Sequence, residues 1–452
     1  MAKTRTIYRC NECGAAHPKW SGQCSSCNEW NTLVEEFEQP RATAASYSGP
    51  AARPVPLASV DPSAAKTRPT GITEFDRVLG GGLVAGSVTL LGGEPGIGKS
   101  TLTLQLLSAL AADGRRGLLV SAEESPQQVQ LRALRLGSRH EGLWIVAETA
   151  LPAILAAVAE VKPELLVVDS IQTVFDPDLQ SSPGSVSQVR ECAHALVIAA
   201  KASGVATVLV GHVTKEGTLA GPRVLEHVVD TVLSFDGDRH HALRLLRASK
   251  HRFGATGELG LFEMRDAGLV ALEDPTDLLL GDRRPDLAGS CVVPVMEGRR
   301  TLLVEVQALV AETKAAMPRR SGQGIDYNRL AVLLAVIERR VGYTLYQKEV
   351  FASAMGGVQI NEPAGDLGIA LAVVSAHNGR PIAADVVACG EVGLGGEIRR
   401  VGQMERRLGE AKRLGFARAV VPEATPDIPG LTLLRVKDLR TAIDRLDLRA
   451  ET

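Results

Sequence analysis

No uncharged apolar run in this chain approaches the ~20 residues that a membrane-spanning helix requires. One of the longest, Leu367 to Ala376, has ten. The N-terminal MAKTRTIYRCNEC lacks the apolar h-region of an export signal. Neither sign of charge is in excess: 50 Lys+Arg stand against 52 Asp+Glu, a net charge of −2. That balance excludes a uniformly basic coat for nucleic acid and confines any such binding to local patches. No repeat of 20–50 residues recurs, which excludes a solenoid. Wholesale disorder is excluded as well, because 45% apolar and 23% charged residues are ordinary globular values. The absences together predict a soluble, cytoplasmic protein without a membrane partner. Its 452 residues predict several domains at about 150 residues each.

Seven cysteines are unevenly spread. Cys192, Cys291 and Cys389 stand alone in apolar surroundings and read as core thiols. Cys10, Cys13, Cys24 and Cys27 form C-x₂-C-x₁₀-C-x₂-C, two knuckles close enough to converge on one tetrahedral Zn²⁺. Four thiolates leave no open position for water, so the metal is expected to be structural. The alternatives are two disulfides or redox pairs. The leaderless N-terminus disfavours the first, and the lack of a surrounding βαβ unit disfavours the second. A module this small cannot bury a core without metal, so zinc binding and folding should be one event.

Composition shifts predict a C4 zinc module over 1–33 and a Pro/Ala/Ser-rich linker over 34–68. Two α/β domains, over 69–275 and 276–452, are expected to follow. In the larger part, strand-like runs (87–91, 117–120, 165–168, 207–210, 231–235) alternate with helix-like stretches (99–112, 126–136, 151–161, 186–203). That alternation predicts βαβ units and an α/β fold with a mostly parallel sheet.

Gly93, Glu94, Pro95, Gly96, Ile97, Gly98, Lys99 and Ser100 match G-x₄-G-K-[ST] between a strand and an apolar helix. In that context glycines let backbone N–H groups wrap phosphates and the helix N-terminus, through Thr101, favours their charge. Lys99 reaches the β/γ oxygens of ATP and Ser100 ligates Mg²⁺. Asp169, ending the apolar run Leu165–Val168, is the expected second Mg²⁺ ligand. Glu123 or Glu124, just past the run 117–121, is placed to take a proton from the attacking water, with Glu123 the stronger candidate. The competing reading is a helix-start charge, since Ser125 and Pro126 open the next helix.

These motifs, with S-A-E-E-S, G-H-V-T-K-E-G at 211–217 and Lys250-His251-Arg252-Phe253-Gly254, stand in order behind the four cysteines. The pattern resembles the bacterial RadA (Sms) family of DNA recombination and repair proteins. The resemblance implies a RecA-like ATPase core, as in hexameric helicases, followed by a Lon-protease-like domain. It also implies action on single-stranded and branched DNA, branch migration, homo-hexamer assembly and a RecA recombinase as partner. In those ATPases the glutamate at the position of Glu123 activates water. The family's K-N-R-F-G has His251 in place of Asn here. The pentapeptide follows the strand-like run 242–247, and Lys250 and Arg252 are expected to act on a neighbouring subunit's γ-phosphate. A solvated basic turn is the plainer reading.

Polar loops at 172–188 and 214–223 occupy places that line the DNA channel in RecA-like rings; Lys215 and Arg223 are the candidate phosphate contacts. Further on, the segment 349–422 resembles the proteolytic domain of Lon, with Ala364 at the serine position and Glu405 at the lysine position. Neither supports Ser–Lys chemistry, so no peptidase activity is expected. Adjacent arginines (319/320, 339/340, 399/400, 406/407) suggest a basic face, with Arg399 and Arg400 as DNA-binding candidates. Salt-bridged helices explain them equally well.

Overall fold

The computed structural model describes residues 5–10, 15–26, 28–38, 56–59, 66–179, 181–212, 224–237, 242–315 and 317–449. They fall into two units that divide between Leu272 and Glu273. At the N-terminus, Arg5–Cys10 pairs antiparallel with both Ala16–His17 and Leu33–Glu38.

The large sheet of the first unit is built on strands that read apolar in the sequence because helices cover both faces. β1 (Val88–Gly93) leads into α1 (Lys99–Ala112), and β2 (Gly117–Ser121) into α2 (Pro126–Arg135). β3 (Leu143–Val146) and α3 (Leu151–Val161) follow, then β4 (Leu165–Asp169), α4 (Val186–Ser203) and β5 (Ala206–His212). β6 (Thr231–Asp236), β7 (Leu243–His251), β8 (Leu259–Arg265) and β9 (Gly268–Ala271) complete one sheet of order β9-β8-β7-β6-β1-β5-β4-β2-β3. The strands from β6 to β3 in that order are parallel, and β7, β8 and β9 are antiparallel.

Alternation along each strand divides the core in two. Leu90, Leu118, Leu166 and Leu209 pack on one face, Leu91, Leu119, Val167 and Val210 on the other. The expected helices recur almost residue for residue. β3 was not among the expected strands: it is a four-residue edge strand whose Trp144 and Ile145 are exposed, so the doubly covered apolar pattern does not mark it.

The second unit holds a seven-stranded mixed sheet. Its strands are β10 (Ser290–Glu297), β11 (Arg300–Glu312), β12 (Arg320–Gln323), β13 (Lys348–Ala354), β14 (Val386–Ala388), β15 (Arg418–Pro422) and β16 (Thr432–Val436), ordered β12-β13-β11-β10-β14-β15-β16. The apolar stretch at 367–376 is helix α5 (Asp366–Asn378), buried from Asp366 through Ser375. Gly368 lets that helix approach the sheet: a Cβ there would lie 2.0 Å from Val293 Cγ1.

Candidate nucleotide site and its flanking cations

Three strands of this nine-stranded sheet deliver the expected phosphate-site residues at their C-terminal ends. β1 runs into the loop ending at Lys99, β4 ends on Asp169, and Glu123 lies two residues past β2. Register holds these ends level, since Gly93 pairs with His212, Val210 with Asp169 and Asp169 with Ser121. Gly96 and Gly98 take φ of 80° and 113°, a region that L side chains rarely adopt. A Cβ on Gly98 would also meet Met264 Cε at 2.6 Å. Ile97 is buried in the core and pins the loop, while Glu94, Pro95 and Gly96 stay exposed. Helix α1 opens at Lys99 with no side-chain cap, so Lys99, Ser100 and Thr101 present first-turn amides suited to an anion.

Lys99 is 4% exposed, and its Nζ donates to the carbonyls of Gly93 (2.8 Å) and Glu94 (2.9 Å). Burial pushes its pKa below the usual lysine value, against the pull of Asp169, Glu123 and Glu94. Burial likewise raises the Asp169 carboxyl, which a hydrogen bond from Ser100 partly offsets. A buried ammonium, uncapped amides and a hydroxyl–carboxylate pair form a donor set that fits a polyphosphate with one Mg²⁺.

The two glutamates separate. Glu124 pairs with Arg132 on α2, and its carbonyl accepts from Ser121 Oγ. Glu123 instead turns back to the sheet, where its Oε1 accepts from Ser170 Oγ, next to Asp169. The helix-start role thus falls to Glu124 and to Ser125, whose side chain caps α2 in a capping box with Gln128.

Lys250 is not where the strand pattern put it, whereas Arg252 lies just past the strand end, as expected. The strand does not stop near residue 247; β7 continues through His251, with Lys250 opposite Val232 and His251 opposite Thr231. Polar side chains at its end pair with backbone and so conceal the continuation. Lys250 Nζ donates to the carbonyls of Glu226 (2.5 Å) and Val229 (2.8 Å). Arg252 pairs with Asp230 at 2.9 Å. Asp230, which the sequence reading missed, also accepts from the Val88 N–H at the start of β1. Its signal was a lone carboxylate between apolar Val229 and the strand that starts at Thr231. These cations therefore sit at the entry end of β1, and the phosphate loop leaves the exit end. Five steps of about 3.3 Å separate them, roughly 16 Å.

Lys215 and Arg223 lie outside the described residues, as do Cys13 and Cys27. The loop after β4 is anchored by Gln188, a buried residue of α4 whose side chain bonds Asp176, Leu179 and Ser181 backbone. Cys10 and Cys24 are buried together, and Cys24 Sγ accepts from the Ser26 N–H at 3.4 Å. Such an amide contact suits a thiolate held for a metal.

In the second unit Ala364 is buried and Glu405 is exposed. The basic face needs correction at Arg407, which is 3% exposed and makes a two-pronged pair with Glu362. It is a core residue of helix α6 (Met404–Arg413) because its guanidinium also bonds the carbonyls of Pro294 and Gly402. Arg399 pairs with Glu397, whereas Arg400 is exposed.

Residues 51–218 match the family described as AAA domain, residues 8–35 the rubredoxin metal binding domain, and residues 352–425 the ChlI subunit of Mg-chelatase. The fold class is α/β: an N-terminal zinc-ribbon-type module, a RecA-like P-loop core and a Lon-like C-terminal domain. A KaiC-like protein from Pyrococcus horikoshii superposes with a TM-score of 0.40 at 23% identity, over 46% of this chain and 99% of that one. The DNA repair protein RadA of Bacillus subtilis is 47% identical over 432 residues, covering 94% of both chains. That of Pseudomonas aeruginosa is 49% identical, covering 99% of this chain and all of its own. With such identity along nearly its whole length, the chain belongs to the RadA family of DNA repair proteins.

Proposed function

We propose that this protein is a DNA-stimulated ATPase that forms a homo-hexameric ring, moves on single-stranded DNA and promotes branch migration of recombination intermediates. One observation carries the reading: the two halves of the expected catalytic set lie at opposite ends of β1. Lys99, Ser100, Asp169 and Glu123 gather where the strand ends, Lys250 and Arg252 where it begins. A chain cannot bring its own two cations to its own phosphate loop across that span, so a complete site requires a neighbour. A head-to-tail interface that closes into a ring supplies one.

ATP with Mg²⁺ would supply the phosphoryl bond to be broken. Residues 93–101, Lys99 among them, would hold the phosphates, and Ser100 and Asp169 would hold the Mg²⁺, which would offset phosphate charge. Glu123 orients the attacking water and accepts its proton. Lys250 and Arg252 of the next protomer offset the charge that develops on the transferred group, an effect worth up to about 10³–10⁵ in rate. Cys10, Cys13, Cys24 and Cys27 would hold a structural Zn²⁺. Lacking a nucleophile at Ala364 and an amine at Glu405, the second domain serves as scaffold and contact surface, with no peptidase activity. Lys215, Arg223, Arg399 and Arg400 are the proposed DNA contacts, and a RecA recombinase is the proposed partner.

A second reading is an ATP-switched DNA scaffold that recruits repair partners without translocating. It is favoured by one fact: Lys250 and Arg252 already have partners within their own chain. Strand displacement on a tailed duplex, with hydrolysis measured in parallel, decides between them. Displacement that requires hydrolysis is expected. ATP-dependent DNA binding with no displacement would leave the scaffold.

A further inference from the structure

A cavity of about 390 Å³, apolar at its floor and rimmed by Gln130, Arg139, His140 and Glu141, lies against β3, the outermost strand of the first unit's nine-stranded sheet. It shares no residue with the phosphate site. Leu104, Leu119, Val129 and Ala133, all buried, line it with Trp144, which is 48% exposed. Ser138 also lines it and is 4% exposed, yet its Oγ has no hydrogen-bond partner among the described residues. A buried hydroxyl without a partner is unfavourable. The outer edge of β3 also pairs with no described strand, which leaves backbone donors and acceptors beside the cavity. An apolar floor, an orphan hydroxyl and a polar rim suit a short polar turn that carries one large aliphatic side chain.

We propose that this cavity receives the linker turn Pro56–Ser59 of a second copy of the chain, with Leu57 as the anchor. Leu57 is 89% exposed within its own chain. The turn that carries it is already formed, since the Ser59 N–H and hydroxyl both donate to the Pro56 carbonyl at 2.9 and 2.8 Å. Docking a formed turn costs less ordering than docking a loose segment. The AAA-domain match begins at residue 51, so this part of the linker belongs with the ATPase domain. Nine residues join Leu57 to Lys66, a reach of at most about 30 Å. The Ser138 hydroxyl donates to a carbonyl of the incoming turn. That the occupant comes from another copy rests on the ring reading above; the cavity and its anchor do not.

The test places a photoreactive benzophenone amino acid at position 57 of the full-length protein and mixes isotopically light and heavy copies. The expected product is a mixed light–heavy crosslink between residue 57 and the segment 126–145. Ala133→Trp, which fills the cavity, or the surface change Trp144→Glu should reduce it at least tenfold. Crosslinks confined to one chain, or made to another surface, overturn the proposal. Mass photometry supplies a separate arm: Leu57→Asp should raise the concentration needed for ring assembly at least tenfold, and Leu57→Met should not. If Leu57→Asp rings assemble like the parent's, docking is overturned while the ring reading stands. If the parent forms no ring, that reading falls and the crosslink alone decides docking.

Discussion

Glu123 and Glu124 are neighbours in sequence with different company, and the difference can be measured. Glu123→Gln keeps the size and the bond to Ser170 but removes the base. Turnover should fall by about 10²–10⁴ while nucleotide binding is retained. Glu124→Gln breaks a partly exposed pair with Arg132 and should cost at most about 1 kcal/mol of stability, with turnover near the parent's. Equal losses of turnover in the two variants would remove Glu123 from the chemistry. His251 offers a second test. The Leu79 carbonyl only accepts, so Nε2 carries the proton (3.2 Å) and Nδ1 accepts from the Thr231 hydroxyl (3.0 Å). Burial holds this imidazole below the usual 6.5. The unfolded chain therefore binds the proton more tightly than the folded one. Stability is full above the unfolded value and drains as pH falls from there towards the folded pKa. Urea midpoints of the parent should drop over that range more than those of His251→Asn, the residue in the family signature. Parallel curves would exclude the effect.

At the scale of elements, much was legible because the physics is local. β2 and β4 read as nearly continuous apolar runs because helices cover both their faces, and Ser125 announces α2 by capping it. The glycines and Lys99 were legible for the same reason, as a phosphate loop needs its residues contiguous. What stayed hidden depends on partners distant in sequence. Arg407 looked like half of a surface pair, yet it packs against Glu362, 45 positions away. Lys250 looked like a turn residue, yet β6 and the Glu226 carbonyl hold it in a strand. The Arg407 reassignment has a measurable consequence. Arg407→Leu leaves Glu362 without its counter-charge and should destabilise the second unit by about 3–5 kcal/mol. Arg399→Leu removes a pair whose side chains are 61% and 40% exposed and should cost no more than about 1 kcal/mol. Similar urea midpoints for the two variants would return Arg407 to the surface.

For the whole molecule, the separation of Lys99 from Lys250 along β1 predicts complementation. A Lys99→Ala protomer still carries the two cations, and a Lys250→Ala protomer still carries the phosphate loop. In the proposed ring each variant alone should be inactive, since every seam then lacks one component. In a mixed ring, a seam works when an intact loop faces an intact cation from the next subunit. Equal mixing gives that arrangement in roughly one seam in four, because each side is intact half the time in a head-to-tail ring. Turnover should therefore rise from background to about a quarter of the parent rate if seams fire independently, and to less if all must fire in concert. A site completed within one chain would show no such rescue, because no protomer in the mixture holds both residues. The measurement needs only subunit exchange and a phosphate-release assay, and it reads the geometry of the sheet directly as a property of the assembly.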